Sequence, residues 1–169
     1  GLNYTATFTP TGDGTSTIKV SANEFTDVAG NDNSLSNTFT WTQDDTAPTM
    51  LISATGGGGA NVTSGTTTND AQLNLTFAAI EPTTDFVVGD ITLVGGTLGA
   101  LSNPSSDNQT YTATFTPSGD GQKTIDVNQG VFTDAVGNGN DAATQFVWTY
   151  DSTAPTMTIS ATRSGVALN

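Results

Sequence analysis

Large apolar residues alternate with small polar ones through most of the chain. Met50, Ile52 and Ala54 alternate with Leu51 and Ser53, and Leu73, Leu75 and Phe77 alternate with Asn74 and Thr76. Phe86 and Val88 precede Gly89-Asp90, after which Ile91 and Leu93 flank Thr92. Tyr111, Ala113 and Phe115 share one face, opposite Thr112, Thr114 and Thr116. Ile125 with Val127, and Phe146 with Trp148 and Tyr150, complete the series. A period of two over four to eight residues is the signature of a half-buried strand. The pattern predicts strands A to G, in that order. Turn signals separate them at Gly56–Gly59, Gly95-Gly96, Pro117–Gly121 and Phe132–Asn140. Nothing reads as a helix. Seven short strands in about 100 residues, each with one apolar face, point to an immunoglobulin-like β-sandwich.

The pattern repeats. YTATFTPTGDG at Tyr4–Gly14 returns as YTATFTPSGDG at Tyr111–Gly121, and FTDVAGNDN at Phe25–Asn33 as FTDAVGNGN at Phe132–Asn140. Trp41 returns as Trp148, and Thr46–Met50 as Thr153–Met157. Each pair is 107 positions apart, in one register from Tyr4 to about Thr55. The sequence therefore predicts tandem units of about 107 residues, a usual domain size. Residues 1–44 read as the C-terminal part of one unit (strands E to G), 45–151 as a complete unit, and 152–169 as the start of the next. The reading implies a parent chain longer in both directions.

These phrases resemble the bacterial immunoglobulin-like repeats of giant surface adhesins and similar extracellular array proteins. The resemblance covers the whole chain. It implies an extracellular or cell-surface location and a spacer or stalk role in a surface fibre. The partners it implies are neighbouring repeats of the same chain, with fibre self-assembly as a further expectation. One feature departs from antibody domains: Trp41 and Trp148 fall on the last strand, and no disulfide exists for them to cover.

Composition narrows the chemistry. The chain has no Cys and no His, which removes Cys/His zinc sites, cysteine catalysis and the Ser-His-Asp triad. A non-enzymatic role is expected. Glu81 and Asp85 have the right type for a glycosidase pair, but the aromatics that would hold a sugar are committed to the core pattern. Sixteen acids face only three basic residues, giving a net charge of −13, which opposes nucleic-acid and anionic-membrane binding. No apolar run reaches the ~18 residues of a membrane span.

All acids except Glu24 and Glu81 are Asp. Asp favours turns and is also a hard-cation ligand. Alternating strand direction brings the F–G phrase, the B–C connection Ile80–Asp85 and the arriving linker Thr42–Pro48 to one pole of the sandwich. Asp44, Asp45, Glu81, Asp85, Asp134, Asn138 and Asn140 are thus candidates to converge there. The expected metal ligands are Asp44, Asp45, Glu81, Asp85, Asp134 and Asn138, with calcium as the cation. Calcium takes six to eight oxygen ligands and would neutralise clustered carboxylates. The competing reading is a turn alone: Asp27 and Asp134 cap backbone amides, and Gly30 and Gly137 take positive φ. The spacing does not match an EF-hand. The alternative function is a carbohydrate- or protein-binding module using the B–C and D–E loops near Leu98–Asn108.

Overall fold

The computed structural model describes residues 3–163 and 166–168. Gly1, Leu2, Ser164, Gly165 and Asn169, which fall in the outer segments of the repeat reading, lie outside the described residues.

The strands, in chain order, are β1 (Gly14–Ile18), β2 (Phe39–Gln43), β3 (Met50–Gly56), β4 (Asn61–Val62), β5 (Thr67–Thr68) and β6 (Leu73–Ala79). They continue with β7 (Ile91–Val94), β8 (Gly96–Leu98), β9 (Thr110–Pro117), β10 (Gly121–Val127), β11 (Phe146–Tyr150), β12 (Ala161–Arg163) and β13 (Val166–Leu168). Two sheets make the sandwich of the central unit. One has the order β4-β3-β6-β9-β8 and the other β5-β11-β10-β7. All pairings in them are antiparallel except β11 with β5, which is parallel. β1 pairs with β2, and β12 with β13, as separate two-stranded ladders.

Alternation explains which side of each strand is inside. Leu73, Leu75 and Phe77 of β6, with Phe115 and Tyr111 of the neighbouring β9, share one core with Ile125 and Val127 of β10 and Phe146 and Trp148 of β11 from the other sheet. Trp148 is fully buried, its ring edge-on to Phe115 at 6.0 Å, and its indole N–H donates to Thr68 Oγ1 at 3.1 Å. The one polar group of this side chain is thereby satisfied. Phe86 sits among Phe77, Tyr111 and Phe132, with ring centroids 5.9, 5.1 and 5.3 Å away.

Predicted strands A, B, E, F and G are found as β3, β6, β9, β10 and β11. The middle of the unit differs. Phe86–Val88 is not a strand. Val88–Asp90 forms a 3-10 turn, closed by the Asp90 carboxylate accepting from the Val87 amide at 2.8 Å. Expected strand D is found as β7, and β8, which begins at the glycine pair read only as a turn, is an additional strand. Gly96 permits this crossover between sheets. A Cβ there would lie 2.3 Å from Phe115 Cζ and 2.6 Å from the Thr116 carbonyl. Tyr4–Pro10 matches β9 in sequence but joins no ladder. β9 is bonded on both sides, by β6 and β8, and no such neighbours flank Tyr4–Pro10 among the described residues.

Candidate metal centre

The F–G turn is built by two side chains acting on backbone. Asn140 is fully buried; its Oδ1 accepts from the amides of Val131 (2.8 Å) and Phe132 (3.1 Å). Its Nδ2 donates to the carbonyls of Asn128 and Asp141, both at 2.8 Å. Asn33 makes the same four bonds to Glu24, Phe25, Ser21 and Ser34. Asn140 is thus a structural clasp whose oxygen is already used, not a ligand. Asp134 Oδ1 accepts from the amides of Val136, Gly137 and Asn138 at 2.9, 2.7 and 2.9 Å. Gly137 takes φ +100° to complete this turn, and Gly30 takes φ +87° in the other copy.

Asp134 also faces outward from the turn. Its Oδ2 accepts from Asn138 Nδ2 at 2.8 Å, and carboxylate oxygens of Asp44, Glu81 and Asp134 all lie within 4.8 Å of one another. Three elements supply them: the linker before β3, the connection after β6, and the F–G turn. Glu81 Oε1 is buried and has no hydrogen-bond partner. Burial, and then the charges of Asp44, Asp134 and Asp13, push the Glu81 carboxyl above its usual value. Burial alone would raise Asp134 too. The hydrogen bonds from Asn138, Gly137 and Val136 together outweigh it and hold Asp134 below the usual range. The cluster thus contains carboxylates that repel, one of them desolvated and unpartnered. The triad Asp44, Glu81 and Asp134 could hold a metal ion.

The remaining candidates fall outside this group. Asp85 is turned to Thr133, accepting from its amide at 2.7 Å and its hydroxyl at 3.2 Å. Asn138 directs its Nδ2 at Asp134 Oδ2, the Asp44 carbonyl (3.1 Å) and the Thr46 carbonyl (3.3 Å), so it braces the linker through its donor end. Asp45 is held through its backbone amide, which donates to Asp13 Oδ1 at 2.6 Å. Asp13 is the residue that the sequence reading missed. It lies in the Gly12–Gly14 turn, and its charge reaches Glu81. Its recurrence as Asp120, with Thr46 recurring as Thr153, was the available signal.

Two sheets in these orders, joined by the β7–β8 crossover, define an immunoglobulin-like β-sandwich. The bacterial Ig-like domain family matches residues 44–149, more than half of the chain, and the chain belongs to that family. No curated protein and no solved structure matches it. Domains of this family are generally non-catalytic and typical of surface proteins. No helix among the described residues is long and apolar enough to cross a membrane.

Proposed function

We propose that the chain is a spacer segment of a long extracellular repeat protein, an adhesin or surface fibre, whose joints are stiffened by calcium. The observation that carries this reading is the buried, unpartnered Glu81 Oε1 beside the linker carboxylate of Asp44 and the turn carboxylate of Asp134. A cation there ties the arriving linker to the sandwich and offsets both the burial and the repulsion that raise Glu81. The donor set is all oxygen, without Cys or His in the chain, and this favours a hard cation. Asp44, Glu81 and Asp134 would supply the carboxylates, with Asn138 bracing the linker beside them.

The division into repeats is supported by burial. Tyr4, Phe25 and Trp41 are 87%, 62% and 41% exposed, whereas their counterparts Tyr111, Phe132 and Trp148 are 8%, 1% and 0% exposed. The ring that covers Tyr111 and Phe132 is Phe86. An open cavity of about 780 Å³ lined by Tyr4, Val20, Phe25 and Val28 marks the equivalent place in residues 1–44. That surface is the back half of a sandwich, and its complement is a front half of the kind formed by residues 45–109. Met157 and Ile159, both 88% exposed, correspond to the core residues Met50 and Ile52.

Calorimetric titration of the metal-free chain with calcium tests the site. Saturable binding is expected, lost in Asp44→Ala and in Glu81→Gln, and retained in Asp85→Asn. Heats indistinguishable from dilution in the unaltered chain would reject calcium at this joint.

A further inference from the structure

The same hydrogen-bonded arrangement occurs twice in the chain, at both linkers. At the first, Asp13 Oδ1 accepts from the Asp45 amide at 2.6 Å, and Asp13 Oδ2 accepts from the Thr46 hydroxyl. At the second, Asp120 Oδ1 accepts from the Ser152 amide at 2.9 Å and the Ser152 hydroxyl at 2.8 Å. Asp120 Oδ2 accepts from the Thr153 hydroxyl at 2.6 Å. Amide and threonine hydroxyl lie 32 and 33 residues from the aspartate in both cases. Position 45 is Asp and position 152 is Ser, yet the bond persists because it uses the backbone.

We infer that Asp13 and Asp120 are linker anchors: the turn before the last two strands of each unit recognises the first residues of the linker that follows. Both oxygens of each carboxylate are engaged, so the linker's position and its local rotation are both constrained. The partner chemistry is specific. It needs a free backbone N–H followed by a Thr hydroxyl, as in Asp45-Thr46 and Ser152-Thr153. At the first linker the grip is two-sided. Asn138 Nδ2 donates to the Asp44 and Thr46 carbonyls from the central unit, while Asp13 accepts from the intervening N–H and hydroxyl. The Thr46 hydroxyl, then the Asp45 amide, hold the Asp13 carboxyl below its usual value, and Thr153 and Ser152 do the same for Asp120. Charge-assisted bonds of this kind are stronger than neutral ones. The anchor sets how each linker leaves its sandwich with or without metal, so it goes beyond the calcium reading and survives that reading's failure.

Amide hydrogen exchange by NMR on the full chain, in chelator, tests it. In Asp120→Ala the Ser152 amide is expected to exchange roughly tenfold faster, with Asp45 unchanged as an internal reference. Asp13→Ala should reverse the pattern. Thr153→Val lies outside both sheets and decides the case if Asp120→Ala weakens the sandwich: it too must speed exchange at Ser152. The inference is overturned if Ser152 exchanges at the free-peptide rate in the unaltered chain. It is equally overturned if the Ser152 rate does not change in Thr153→Val and in a folded Asp120→Ala.

Discussion

Glu81 and Asp134 are neighbours with opposite shifts, and the cause is local hydrogen bonding. Asp134 caps three amides, while Glu81 has an oxygen with no partner. A carboxyl whose folded pKa is raised is destabilising once ionised, so at neutral pH without metal Glu81 opposes folding. Replacing it with Gln removes the charge and keeps the size. Glu81→Gln is expected to melt higher than the unaltered chain in chelator, as read by circular dichroism; an equal or lower melting temperature would count against the strained site. Asp107 illustrates the other sign. Its carboxylate accepts from the Gln109 and Thr110 amides, both at 2.9 Å, and these bonds hold it below the usual value. Its stabilisation is present above the unfolded Asp value of about 3.9 and is lost as pH falls through the folded one. Asp107→Ala should therefore lower the melting temperature at pH 7 and converge with the unaltered chain once the pH has fallen below the lowered folded value. The roles of Asp134 and of the turn glycines were legible because the phrase recurs with Asp and Gly in register. Asp85 was not legible as a bond to Thr133, because the two are 48 residues apart and only the folded loops bring them together.

At the scale of elements, alternation identified the strands that are long and have one dry face. β3, β6, β9 and β11 follow their apolar periodicity closely. Period two failed where a backbone turn uses the same residue types. Phe86 points inward and Val88 follows two positions on, but Asp90 closes that segment into a 3-10 turn. β4 and β5 have two residues each, too few for any period. β8 begins at Gly96, whose type suggests a turn, whereas its function is to let β8 pass close to Phe115. Gly96→Ala is expected to destabilise the central unit by about 1–3 kcal/mol through overpacking, measured by chemical denaturation. The F–G turn depends on one buried side chain. Asn140→Ala leaves two amides and two carbonyls without partners and should cost about 3 kcal/mol in the same assay. A loss below ~1 kcal/mol would mean that the loop is held by its neighbours instead.

At the scale of the molecule, the chain has little positive charge to oppose its acids. Lys19, Lys123 and Arg163 are the only basic residues against a net charge of −13. Lys123 is itself buried between the strands, near the Asp120 carbonyl. Among the described residues no basic side chain pairs with Asp44, Glu81 or Asp134, and on the proposed reading a cation neutralises them. The measurement that bears most directly on this account is the thermal unfolding of the full chain with calcium and with chelator. Binding to the folded state alone must raise the melting temperature, on the order of 10 °C at a hundredfold excess over Kd. That rise is expected in the unaltered chain, and its loss in Glu81→Gln. Identical melting curves with calcium and with chelator would contradict it.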